Sequence, residues 1–296
     1  MSDDAQATSE AARIAATSEP RTRTGLTHDL GRLGVRPRDT VLVHSSLTSL
    51  GWVVGGQVTV VQALLDALGP DGTLVVPAQT GDNSDPKDWA HPPVPEAWWQ
   101  VIRDHMPAFD PTLTPTRSMG VIAEAVRTWP GARRSDHPVT SFAAVGPLAD
   151  EITAVHDLDC QLGERSPLAA LERVGARGLL LGVGWDVCTS FHLAEYRVPG
   201  MARTAHGAAV RVPAADHAPA RAWVTFDDVD VDSEDFEALG AAFEAADGVI
   251  SGPVGSAQAR LFSIPAAVQF AVDWLPEHRG LLRSQHPAPA AQVASS

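Results

Sequence analysis

Residues 41–76 constrain the fold most tightly. A four-residue apolar strand at Val41–His44 is followed by a helical run over Val58–Leu68, which Gly69-Pro70 stops. The turn Pro70-Asp71-Gly72 then feeds a second apolar strand at Thr73–Val76. Strand, helix and strand inside about 40 residues mark an α/β fold. The expected architecture is a single three-layer domain with a central mixed β-sheet flanked by helices. A split into two domains near residue 120 is the weaker alternative.

Downstream segments extend the pattern. SFAAVG and GLLLGVG read as strands, and AAVRV, RAWVTF and ARLFSI as further strand candidates. Helical segments are expected at Glu96–His105, Met119–Trp129, in PLADEITAVH, from Ser166-Pro167 onward, at Glu234–Ala246 and in PAAVQFAVDWLPEH. Residues 77–118 stand apart as a long proline-rich loop excursion, and such excursions in compact domains are usually functional. Residues 1–23 and 283–296 are Ala/Ser-rich and polar. They are expected to be disordered tails around a domain spanning 24–282.

Charge narrows the partners. The chain has 22 Lys+Arg against 36 Asp+Glu and a formal charge of −14. That sign argues against binding nucleic acid or anionic lipid and suits a cationic small molecule, although excess acid also serves solubility. The acidic N-terminal segment lacks a secretory h-region, and no apolar run reaches the length of a membrane span, so a cytoplasmic chain is expected. Cys160 and Cys188, far apart in sequence, read as free thiols.

Two segments carry candidate chemistry. VHSSL puts His44, Ser45 and Ser46 at a strand end, where α/β proteins bind ligands, and Gly55-Gly56 precede the next helix without a P-loop or dinucleotide fingerprint. GVGWDVCTSFHLAE follows another buried strand. It sets His192 and Glu195 three residues apart, on one face if the segment is helical. A lone HxxE is not a zinc motif, there is no GxSxG elbow, and no metal is expected. Cys188, four residues before His192, raises a weaker Cys–His nucleophile option. The acidic groups Asp82 and Asp85, and the run holding Asp227, Asp228, Asp230 and Asp232 after a strand, suit either orientation of a histidine or capture of a polyamine. Asp232 and Ser233 are also expected to cap the helix near Glu234.

Several long segments, in order, resemble one family. VHSSLTSLGWVVGGQVTVVQALLDALGPDGTLVVP, SDPKDW, PPVPEAWW, PAFDPTLTPTRSMGVIAEAVRTWPGARRSDHPVTSFAAVGPLA, LGERSPLAALERVG and LLLGVGWDVCTSFHLAEYR are similar to the aminoglycoside 3-N-acetyltransferases, over about residues 25–280. The resemblance implies acetyl transfer from acetyl-coenzyme A to the 3-amino group of a 2-deoxystreptamine ring, within a ternary complex. It assigns His44, Ser45, Ser46, Thr116, Arg117, Met119 and Gly120 to the coenzyme side. His192 becomes the general base, with Glu195 completing its motif and Asp227 or Asp228 as an acid partner. Asp82, Asp85 and Trp185 fall to the substrate side. Trp185, Val187 and Cys188 depart from the more polar residues common in relatives, which keeps open an acyltransferase for another natural-product amine. A non-catalytic coenzyme A- or polyamine-binding protein is the remaining alternative. The resemblance is compatible with a monomer or a homodimer.

Overall fold

In the computed structural model, residues 3–213, 219–246 and 248–281 are described. The elements run α1 (Asp3–Ala16), α2 (Arg23–Leu33), β1 (Thr40–Ser45), α3 (Gly56–Leu68), β2 (Thr73–Pro77), α4 (Glu96–His105), α5 (Gly120–Arg127), β3 (Arg133–Arg134) and β4 (Phe142–Val145). They continue with α6 (Ala149–Thr153), α7 (Pro167–Arg173), β5 (Arg177–Leu181), α8 (His192–Glu195), β6 (Arg203–Pro213), β7 (Pro219–Val229), α9 (Phe236–Ala245), β8 (Val249–Val254), β9 (Ala257–Ser263) and α10 (Ile264–His278).

Seven strands form one mixed sheet in the order β3-β4-β2-β1-β5-β9-β8, and β6 pairs with β7 as a separate hairpin. The central three strands, β2, β1 and β5, are parallel, and their outer neighbours are antiparallel. Alternation along the strands produces the three layers. Val41 and Val43 of β1 and Leu179 and Leu181 of β5 pack into the core shared with α2, α3 and α5. Leu42 and Leu180 face the opposite core, with α7, α9 and α10. Each such leucine, fully removed from water, contributes about 1.5–3 kcal/mol.

Local chemistry explains the helix ends. Ser166 Oγ accepts from Leu168 N–H (3.2 Å) and Pro167 opens α7, as the sequence predicts. Ser263 does the same for α10 through Ala266 N–H. Asp232 caps the turn before α9 rather than the helix itself: its Oδ1 accepts from Glu234 N–H (2.9 Å), while the N-cap position belongs to Asp235.

Two expectations are corrected. The segment expected as a frayed N-terminus holds helix α1, and the chain after it is anchored to the domain. Thr17 Oγ1 accepts from Trp52 N–H, Arg21 pairs with Val53, and Glu10 accepts from the Trp52 indole (3.2 Å). Its alanine-rich composition favours helix as readily as disorder. Residues 283–296, expected as a tail, lie outside the described residues. The second correction concerns Asp227 and Asp228, which sit within β7 rather than after it. The proline-rich excursion is pinned beneath the hairpin, because Phe109 N–H donates to Ala209 O (2.9 Å) and Ser84 bridges Ala208.

Candidate active site

The sheet places the site. Because His44 pairs with Leu180 and Ser45 with Leu181, β1 and β5 end together. The crevice beyond the carboxyl ends of parallel strands is where open α/β sheets take ligands. Ser46 N–H donates to Leu181 O (3.0 Å) and Ser49 Oγ to Gly182 O (2.9 Å), which fixes the two exit loops against each other. A cavity of about 900 Å³ opens there. His44, Ser45, Ser46, Met119, Gly120 and His192 all line it, so one cavity gathers residues predicted from three separate sequence motifs.

His192 begins α8, and the helical spacing brings Glu195 under it. Glu195 Oε2 lies 2.6 Å from His192 Nδ1, and the carboxylate is fully buried. Glu195 Oε1 accepts from the Arg279 guanidinium and from Asp232 N–H (3.0 Å). With Nδ1 so engaged, Nε2 is the nitrogen of His192 left to exchange a proton. The Phe236 ring packs 4.7 Å from the imidazole, centroid to centroid.

His44 stands beside this pair in a different state. Burial, reinforced by the proximity of His192, pushes it down to about 4, so it is neutral at physiological pH. Thr189 N–H points at its Nε2 (3.4 Å), and Thr189 Oγ1 lies 2.9 Å from the same atom. Those contacts tie the end of β1 to the segment that carries His192.

Other predicted residues are placed elsewhere. Asp228 is fully buried, but its carboxylate accepts from Gln161 N–H, Tyr196 Oη–H and Val229 N–H, each at 2.7 Å, and makes no contact with His192. Asp227 alternates to the exposed side of β7. Among the described residues, the acid hydrogen-bonded to His192 is therefore Glu195. Thr116 and Arg117 line a second cavity of about 670 Å³ together with Asp82, and Arg117 pairs with Asp82 (3.3 Å). Asp85 is buried in a forked ion pair with Arg103 (2.7 Å) and caps the turn at Lys87, so it is not free to meet a ligand. Trp185 is 2% exposed and stacks with Phe191 in the core. Its close seat against α9 requires Gly240, where a Cβ would lie 2.0 Å from the indole Cγ. Cys188 is likewise buried, and desolvation pushes its thiol up to about 12, which removes the Cys–His nucleophile option.

Sequence reasoning missed three contributors. Arg13 of α1 and Asp186 both line the strand-end cavity, and Arg279 completes the Glu195 contacts. Asp186 lies inside the segment GVGWDVCTSFHLAE. Arg13 and Arg279 carried no local signal, because each reaches the site from a distant part of the chain.

Comparison with known proteins decides the family. The sequence model described as Aminoglycoside 3-N-acetyltransferase matches residues 42–276. The chain belongs to that family. It is 45% identical over 262 residues to the SPbeta prophage-derived aminoglycoside N(3')-acetyltransferase-like protein YokD of Bacillus subtilis, covering 88% of this chain and 94% of the relative. An aminoglycoside N(3)-acetyltransferase III from Pseudomonas aeruginosa is 38% identical, with 88% and 96% covered. Among solved structures, the YokD protein from Bacillus subtilis superposes with a TM-score of 0.87 at 44% identity, covering 90% of this chain and 98% of the other. AAC-IIIb in a binary complex with CoASH gives 0.77 at 31%, covering 92% and 100%. AAC-VIa bound to sisomicin gives 0.77 at 32%, covering 88% and 99%. As a member of the aminoglycoside 3-N-acetyltransferase family, the chain is an acetyltransferase on a mixed α/β scaffold. Among the described residues no group of three or more His, Cys, Asp or Glu side chains is arranged to hold a metal ion. No described helix is long and apolar enough to cross a membrane.

Proposed function

We propose that the chain transfers the acetyl group of acetyl-coenzyme A directly to the 3-amino group of the 2-deoxystreptamine ring of an aminoglycoside. The carrying observation is His192 in the strand-end cavity, with its Nδ1 held by a buried carboxylate. The cavity suits the donor. Apolar side chains such as Leu47, Val121 and Val183 fit a pantetheine arm. Arg13, together with the N-termini of α3 and α5, neither of which has a side-chain cap, offers charge and N–H groups to phosphates. Gly120, with φ of +81°, allows the backbone at α5 to turn in close beside Ser45. Acetyl-coenzyme A supplies the acyl group as an activated thioester.

An ammonium has no lone pair, so the acceptor nitrogen must shed a proton. His192 Nε2 takes that proton as the C–N bond forms and the C–S bond breaks, and the thiol is the other product. Glu195 holds the tautomer and steadies the imidazolium. His44, kept neutral by burial, does not oppose that charge. The exposed carboxylate of Asp186 at the strand-end cavity is available to the remaining ammonium groups of the substrate, while Asp82 at the second cavity is paired with Arg117. Of the three departures, Trp185 and Cys188 sit in the core, whereas Val187 is exposed and lines the strand-end cavity, so only Val187 is placed to alter which amine is accepted. Such an enzyme works in the cytoplasm, where its donor is made, as a monomer or a homodimer with a complete cavity in each chain.

The test is thiol release from acetyl-coenzyme A with kanamycin, gentamicin and neomycin-type acceptors, for wild type and His192→Ala. The variant should lose about 10²–10⁴ in turnover while still binding coenzyme A. Wild-type turnover in the variant refutes the base. Acetylation of another amine in preference to all three acceptors points to the natural-product alternative, and no acetylation of any amine points to a binding protein.

A further inference from the structure

We propose that Arg279 is a positioning residue for acetyl transfer, one that fixes Glu195 in place and limits the negative charge His192 faces. The inference rests on the reading of His192 as the general base. Arg279 lies beyond residues 42–276, the part matched by the family model.

The geometry is that of a built clamp. Glu195 is fully buried, and its two oxygens have separate duties. Oε2 faces His192 Nδ1 (2.6 Å), and Oε1 faces Arg279 Nη1 and Asp232 N–H. Arg279 is itself held on its other edge, where Asp235 accepts from Nε (2.8 Å) and from Nη2 (2.7 Å) and Asp232 O accepts from Nη2 (2.8 Å). A forked guanidinium thus locks α8, the start of α9 and the end of α10 into one arrangement. With Glu195 anchored at Oε1, its remaining oxygen has one direction in which to point.

Charge follows from the same contacts. Glu195, Asp235 and Arg279 together carry one net negative charge. Without the guanidinium the Glu195 carboxylate against the imidazole would be uncompensated in a region of low dielectric, and that charge favours the protonated ring. The other groups around His192 are His44 from β1, neutral; Asp186, at the cavity after β5; Arg13, from α1; and Asp232, whose side chain is turned to Glu234 N–H. None of them replaces Arg279 at Glu195 Oε1. A purely structural clamp would change stability and leave the pH response alone.

The experiment measures kcat from about pH 5 to 10 with kanamycin and acetyl-coenzyme A for wild type, Arg279→Gln and Arg279→Lys. In parallel, the His192 imidazole is titrated by NMR in the coenzyme A-bound protein, its signal assigned by loss in His192→Gln. The acid limb of Arg279→Gln should move up by about one pH unit, so that turnover falls roughly tenfold on that limb and recovers in alkali. Arg279→Lys, which keeps the charge but loses the fork, should move in the same direction by less. If the Gln variant does not fold, the Lys variant decides: an imidazole midpoint shifted upward supports the proposal. A pH profile and an imidazole titration unchanged from wild type, or a loss equal at every pH, overturns it. Full activity in His192→Ala would instead defeat the general-base reading, and the imidazole titration would still judge the part played by Arg279.

Discussion

Tyr196 Oη donates to Asp228 Oδ2 across 2.7 Å, and through that bond the residue following α8 is moored to the β6–β7 hairpin. Burial, and then the carboxylate beside it, hold the Tyr196 phenol well above its ordinary range, so the tyrosine is always the donor. Asp228 also accepts Gln161 N–H and so acts as a fastening point between the hairpin and the core. Asp228→Asn should therefore lower stability by about 1–3 kcal/mol, visible as a reduced Tm, and leave kcat within a few-fold of wild type. A collapse of kcat in a protein of unchanged Tm would reassign Asp228 to the chemistry.

Glu195 should behave in the opposite way. Glu195→Gln keeps the shape but removes the charge that favours imidazolium, and kcat should fall by roughly 10²–10⁴ with coenzyme A affinity preserved. Steady-state kinetics beside calorimetric coenzyme titration separates the two quantities.

Cys188 should prove chemically silent. Its thiol, raised to about 12 by burial, is protonated at neutral pH. Iodoacetamide should leave native activity intact, and Cys188→Ala should retain turnover with at most a modest loss of stability. Rapid inactivation by alkylation at Cys188 would contradict its place in the core.

Arg13 should matter to the donor rather than to the proton. Arg13→Ala is expected to raise the KM for acetyl-coenzyme A by about tenfold with kcat little changed, the signature of binding shared by ground and transition states. An unchanged KM would remove α1 from the donor site.

Acid should undermine the fold through a second histidine pair. His137 and His156 lie 4.6 Å apart, centroid to centroid, and burial holds His137 down to about 4 and His156 well below its usual range. Both are depressed relative to the unfolded chain, so the unfolded state binds more protons as pH falls below about 6.5. The stability they permit is fully present above that value and is lost on the way down toward pH 4, by about 3 kcal/mol for His137. His137→Asn, whose Oδ1 can take over the contacts to Val139 and Thr140 N–H, should flatten the slope of stability against pH in that window. Urea unfolding at a series of pH values measures it, and an unchanged slope would show that the ring charges without penalty.

The legible parts of this molecule were those written in short range. Apolar runs bounded by Gly-Pro turns marked β1, α3 and β2, and the three-residue step from His192 to Glu195 was readable as one helical face. Asp227 and Asp228 were misread because an acidic pair looks like a loop. The alternation of TFDDV, with Asp228 inward and Asp227 outward, is the period-two signal of a strand that continues through them. The resemblance puts Trp185 on the substrate side, and the aromatic cluster around it, with Phe191, Phe243 and Phe262, places it in the core. Arg279 was out of reach for a simpler reason: 84 residues separate it from Glu195, and no local pattern couples them.

That separation has a consequence for how the protein is made. A chain emerging from the ribosome exposes the His192–Glu195 step long before the arginine that steadies it. During that interval Glu195 must remain in water or take up a proton, since burying it alone is strongly unfavourable. The buried carboxylate therefore gains its cationic partner only after residue 279 has been made. A chain that ends before that point should keep all the strands of the sheet and lack the arginine partner of Glu195.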